Sequence, residues 1–209
     1  MLSALLMRGL FWPSWFLEVK MKKIFITASI ACLFLLTGCQ TPPPLNFSVP
    51  NVGKSNKRID AEVKSMTVTL ARADEVTGKM PSNMNGVAQT WQVAIIEAIN
   101  KMVIFTDDAK KRLNLSVKVM SLDIPGAGFS VTTNTTAVYE LMDRASGDVI
   151  YSRSISSQGA VPADFAFDFR ARRIESVNRT VQNNITMFLQ DLETIDINKP
   201  MFPVAKATK

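Results

Sequence analysis

The chain has 209 residues, with 24 Lys and Arg, 18 Asp and Glu, two Cys and no His. Its 47% hydrophobic and 20% charged residues describe a globular chain rather than a disordered one, of a length suited to one domain with appendages. Without His there is no Ser-His-Asp triad, no Cys-His dyad and no His-ligated zinc or haem, so acid–base work would fall to carboxylates, Lys or Tyr.

Met21-Lys22-Lys23 precedes a 12-residue apolar run, Ile24–Leu35, which ends at Leu36-Thr37-Gly38-Cys39. A basic start, a short apolar stretch and small residues read as a secretory signal. The run is shorter than the roughly 20 residues that span a bilayer. Residues 1–20 add nothing to a signal complete from Met21. They are read as an upstream extension of the true start, or else as a long basic leader region. Leu36-Thr37-Gly38-Cys39 closely resembles the lipobox of bacterial lipoproteins. That resemblance implies cleavage between Gly38 and Cys39, a diacylglyceryl thioether on Cys39, and acylation of the new N-terminus. It also implies sorting to the outer membrane, on its periplasmic face, because Gln40 and Thr41 follow the Cys in place of the Asp that retains lipoproteins at the inner membrane.

Removing residues 1–38 takes away four basic residues and one acidic one, leaving 20 against 17 and a net charge of +3. The basic balance is then small, and no nucleic-acid partner is expected. Cys32 leaves with the signal and Cys39 carries lipid, so no disulfide is expected.

Residues 39–60 are expected to be a lipid anchor and tether: Pro42-Pro43-Pro44 favours extended polyproline II, and Asn51, Gly53, Ser55 and Asn56 loosen the chain. Lys54, Lys57 and Arg58 could touch anionic head groups, although a solvated linker is the simpler reading. The folded part is expected over 61–195. Met66, Val68 and Leu70 alternate and predict a strand over 61–72. Val87, Trp91, Ala94, Ile95, Ala98, Met102 and Phe105 share one face of a helix, with Asn83 or Asn85 available to cap it. Leu113, Leu115, Val117 and Val119 alternate with polar residues as a strand. Phe129–Met142 alternates likewise, turns at Ser146-Gly147-Asp148, and returns from Val149 as a hairpin. Ala171, Ile174, Val177, Val181, Ile185, Phe188, Leu189 and Leu192 line a long second helix, and residues 196–209 are expected to be a frayed tail.

The order strand, helix, strand, strand, strand, helix predicts an α+β two-layer sandwich. Its mixed four-stranded sheet would carry both helices on one face. The first two strands would run parallel through a crossover, and the rest antiparallel. The hairpin Tyr139–Asp143 to Gly147–Ile150 and the helix beginning near Arg170 resemble those of small outer-membrane accessory lipoproteins. Examples are the lipopolysaccharide-assembly lipoprotein and the auxiliary lipoproteins of envelope ABC-type lipid transporters. The resemblance implies a cellular setting rather than a given partner.

No catalytic set, cofactor site or metal site is expected. Gly53-Lys54-Ser55 imitates the end of a phosphate-binding loop, but Ser48 stands where its first Gly belongs and no strand precedes it. Gly126-Ala127-Gly128 reads as a turn. Asp107 and Asp108 lack further spaced oxygens and read as a solvated loop. The chain is therefore expected to be non-enzymatic: an accessory or assembly subunit of a cell-envelope complex, or alternatively a binder of lipid or lipopolysaccharide. The candidate contact is Phe165, Phe167 and Phe169, alternating in what reads as an extended piece, followed by Arg170, Arg172, Arg173 and Arg179. Burial of the three rings, closing one end of the sandwich, is the favoured reading. Exposure would make them an adhesive patch beside arginines suited to phosphate or carboxylate.

Overall fold

The computed structural model describes residues 42–82, 84 and 86–204. The signal, Gly38 and Cys39, Asn83, Asn85 and residues 205–209 lie outside them.

Six elements follow the predicted order. They are β1 (Glu62–Leu70), α1 (Val87–Met102), β2 (Arg112–Asp123), β3 (Val131–Asp143), β4 (Val149–Val161) and α2 (Phe169–Leu192). The sheet order is β1-β2-β3-β4, with β1 parallel to β2 and the other pairs antiparallel. Alternation sets the inner face: Leu113, Leu115, Val117 and Val119 of β2, and Val131, Thr133, Thr135, Ala137, Tyr139 and Leu141 of β3, are all buried. A register shift between Val119 and Ser121 changes the phase, so that Leu122 is the next buried residue of β2. Trp91, Tyr139, Phe47 and Phe188 are the largest fully buried side chains, and Tyr139 stacks on Phe188 with centroids 4.4 Å apart.

Helix α2 meets the sheet through a polar stripe as well as an apolar one. Ser176, Thr180 and Asn184, each four residues from the next, are fully buried. At Gly159 of β4 a Cβ would lie 2.3 Å from Thr180 N and 2.4 Å from Ser176 O, so only Gly permits this approach. The polar groups are satisfied. Ser176 Oγ lies 2.6 Å from Thr133 Oγ1, and Ser157 Oγ donates to Thr180 O at 2.8 Å. Asn184 Nδ2 donates to Ile155 O at 2.9 Å and Ser157 Oγ at 3.1 Å, while its Oδ1 accepts from Tyr139 OH at 2.9 Å. Trp91 Nε1 donates to Tyr139 OH at 3.3 Å, tying α1 to the same network. Desolvation raises the Tyr139 hydroxyl pKa above its ordinary value, so it stays a donor.

The expected tether is instead part of the fold from Leu45 onward. Phe47, Val49 and Ile59 are buried in the core, and Phe47 meets Trp91 edge to face at 6.2 Å. The segment begins at the N-terminal half of α2, where Asn178 donates to Pro44 O and accepts from Asn46 N. It passes α1, where Ser48 Oγ donates to Glu97 Oε2 at 2.6 Å and Ser55 N to Met102 O at 2.8 Å. It ends over the C-terminus of α2, where Lys57 Nζ donates to Leu192 O, Glu193 O and Ile195 O. It is a strap bonded to both helices. Lys57 therefore neutralises helix-end carbonyls rather than reaching for head groups, and Arg58 Nη1 donates to Val103 O.

Three boundaries also differ from the sequence reading. α1 ends at Met102 because Val103 turns left-handed (φ 51°), which sends Ile104 into the core and Phe105 into a bridge with Ile59. The N-cap of α1 is Gly86 at φ 83°, with no side-chain cap. The tail does not fray through Val204: Phe202 and Val149 exchange backbone hydrogen bonds at 3.0 Å each, and Lys111 Nζ donates to Ile197 O at 2.6 Å.

Candidate functional site

The antiparallel register pairs Val131 with Val161 and Asp123 with Asn134. The β2–β3 loop (124–130), the β4–α2 loop (162–168) and the first turn of α2 therefore share one end of the sheet. The described chain also enters there, because Asn178 holds Pro44 and Asn46.

The 162–168 segment is a tight turn rather than an extended piece, with Phe165 N donating to Pro162 O at 3.3 Å. Asp168 caps α2 by accepting from Arg170 N at 2.9 Å. Arg172 Nη1 pins the turn by donating to Ala166 O at 2.5 Å and Phe167 O at 3.0 Å. The rings do not close the core, correcting the favoured sequence reading. Phe167 is 103% exposed and Phe165 44% exposed, while Phe169 is half-buried. Val131, Val161 and Ala171 are the buried residues here. The alternation is broken because Phe165 and Phe167 lie on a tight turn while Phe169 is already the first residue of α2.

The arginines have separate duties. Arg179 lies 5.3 Å over the Phe165 ring, donates to Ala160 O at 3.0 Å and pairs with Glu175 at 2.8 Å. Arg172 and Arg173 flank Phe169 at 5.6 and 6.0 Å. The Nε atoms of Arg172 and Arg173 are buried without a hydrogen-bond partner. Among the described residues, Arg170, Arg172 and Arg173 form no ion pair with a carboxylate.

Arg170 and Arg173 also edge a cleft of about 340 Å³, lined otherwise by Leu45, Met84, Val87, Leu122, Ile124, Ile174 and Val177. A mostly apolar lining that includes two arginines suits an amphiphile with an anionic head. Sequence reasoning missed this cleft, because its lining comes from four separate segments. It also missed Phe129, taken as the start of a strand. Phe129 stands 89% exposed on the β2–β3 loop, two residues before β3 begins.

Other sequence candidates do not assemble into a site. Ser55 of the Gly-Lys-Ser tripeptide donates to Glu193 Oε2 at 2.9 Å as part of the strap. Asp107 and Asp108 are exposed on the α1–β2 loop, and no group of three potential metal ligands occurs among the described residues. Among those residues no helix is long and apolar enough to cross a membrane.

No family model matches the chain, and no curated protein matches it. Solved structures with a similar fold include a Xanthomonas campestris protein of the family model DUF330. It is 13% identical at TM-score 0.45, with 71% of this chain and 91% of that one covered. A hypothetical protein from Chlamydia trachomatis is 8% identical at TM-score 0.45, with 66% and 96% covered. A minor lipoprotein from Acinetobacter baumannii is 12% identical at TM-score 0.36, with 63% and 93% covered. Lipoproteins are thus among the structural neighbours. Every one of these TM-scores is below 0.5, and no residue role follows from them.

Proposed function

We propose that this chain is a non-enzymatic lipoprotein of the outer membrane, anchored through Cys39 on the periplasmic face and acting as an accessory or assembly subunit of a cell-envelope complex. The observation that carries the reading is Leu36-Thr37-Gly38-Cys39, placed directly ahead of a folded unit that begins at Pro42. Leu45 of the cleft is six residues after Cys39, and such steps set the reach of the link. They reach at most about 20 Å when fully extended. Since the strap is folded, the anchor would hold the domain close to the bilayer rather than on a long leash. Confinement near a membrane partner then raises its effective concentration there.

A second reading, a carrier or binder of lipid or lipopolysaccharide, is favoured by the cleft edged by Arg170 and Arg173. One experiment separates the two. The full chain with a C-terminal tag is crosslinked in cells, extracted in mild detergent, and its eluate read for proteins and lipids. A dominant envelope protein at near-stoichiometric yield, lost in Cys39→Ala, is the expected result. Enriched lipopolysaccharide or phospholipid with no protein partner supports the second reading. An eluate with neither contradicts both.

A further inference from the structure

Two of the most exposed large apolar side chains, Phe129 and Phe167, sit on the two loops that share the end where the described chain begins. An exposed Phe has no hydrogen bond to satisfy and gains free energy only by leaving water. Two such rings on loop tips mark a contact that the isolated domain does not make. The turn that carries Phe167 is held in place by side chains. The 162–168 turn is pinned by Arg172 and capped by Asp168. Gly128, just before Phe129, holds φ 149° and could not carry a Cβ without meeting Ser130 O at 2.9 Å.

The charge at this end is complementary to one class of surface. Arg170, Arg172 and Arg173 outnumber Asp164 and Asp168, the carboxylates of the adjoining loop. Asp168 is engaged at the helix cap, and the other acid on the first turns of α2, Glu175, is paired with Arg179. Chain connectivity adds the third line: Pro42, the first described residue, is three residues after Cys39.

We propose that this end of the molecule is a membrane-contact face, in which Phe129 and Phe167 enter the interfacial layer of an anionic bilayer and Arg170 and Arg173 reach its phosphates. The inference deepens the lipoprotein reading. One lipid-bearing residue would hold the protein at the membrane, and the two rings with their arginines would fix which way the domain faces. Interfacial side chains of this kind sit about 5–10 Å into the boundary between head groups and acyl chains.

The test uses the full chain extracted from membranes and reconstituted into vesicles of equimolar phosphatidylcholine and phosphatidylglycerol, brominated near the head-group end of the acyl chains. Phe129→Trp, Phe167→Trp, Ser146→Trp and Phe202→Trp are compared with the parent, whose own signal is subtracted: Trp91 is buried, and Trp12 and Trp15 precede the expected cleavage site. Ser146 lies on the β3–β4 turn and Phe202 bridges Val149, both at the opposite end of the sheet. Tryptophan at 129 and 167 is expected to shift to the blue and be quenched by bromine, and tryptophan at 146 and 202 to do neither. Adding Arg170→Ala with Arg173→Ala should reduce the quenching at 167, and so should replacing phosphatidylglycerol by phosphatidylcholine. Water-like emission without quenching at 129 and 167 overturns the proposal, as does quenching at 202 in their place. Equal quenching in purely zwitterionic vesicles overturns the role given to the arginines. The mass of the Cys39 peptide from the same sample reports the anchor separately. Lipid on Cys39 with no quenching removes the contact face alone, and quenching without lipid removes the anchor alone.

Discussion

Gly159 is the residue where a single methyl group should matter most. Its missing Cβ is the space occupied by the α2 backbone, 2.3 Å from Thr180 N. Gly159→Ala must push helix from strand, and we expect a loss of about 3 kcal/mol or more, read from the urea midpoint. Tyr139→Phe keeps the ring stacked on Phe188 but strands Asn184 Oδ1 and Trp91 Nε1 in the core. Its expected cost is about 1–3 kcal/mol in the same assay, because a buried group left without its partner carries its full desolvation penalty. Glu97 supplies a pH dependence. Hydrogen bonds from Lys101 and Ser48 hold its carboxyl below the usual carboxylate range. A lowered folded-state value means that its contribution is complete above the unfolded value of about 4.3 and disappears as pH falls through the lowered one. The protection of the strap amides near Ser48, taken relative to the intrinsic exchange rate at each pH, should therefore fall on acidification below that range and stay level between pH 5 and 8.

At the scale of elements, the strap is the feature with the largest consequence. Phe47 fills the space beside Trp91, and Phe47→Ala is expected to cost about 3–5 kcal/mol, with faster exchange along 45–59. The strap was illegible in the sequence because Phe47, Val49 and Ile59 are scattered among Pro, Asn, Gly and Ser, with no period to mark a buried face. The strands and both helices were legible because their apolar residues repeat at two or at three to four, which is the geometry that buries them. The end of α1 was not, since the apolar spacing continues to Phe105 while Val103 turns the backbone left-handed. The polar stripe of α2 was hidden for the opposite reason: Ser176, Thr180 and Asn184 look solvent-facing until Gly159 lets the backbones approach. The candidate site was half legible. The aromatic and arginine residues stood out, but their alternation suggested an extended buried piece, and only the Asp168 cap and the Arg172 contacts make it a turn with outward rings.

For the whole molecule, chemistry gathers at one end. The cleft, the exposed rings of Phe129 and Phe167, the arginines of α2 and the entry of the described chain all lie where β2 ends and β3 begins. The opposite end is closed by the 144–148 turn, the bridge at Phe202 and the Lys57 cap on α2. Such a polarity suits a protein that works at a surface. The same arginines should make vesicle association depend on salt, weakening as the Debye length falls from about 10 Å at 0.1 M to about 3 Å at 1 M. Flotation of the unlipidated Cys39→Ala chain across that range checks it, since the acylated parent should stay on the vesicles at either salt.

The most direct measurement is the mass of the N-terminal peptide of the protein extracted from its native membrane. The lipoprotein account expects the chain to start at Cys39 and to carry a diacylglyceryl thioether with an acylated amine. A peptide spanning Gly38 and Cys39 uncleaved, or a Cys39 free of lipid, would contradict it.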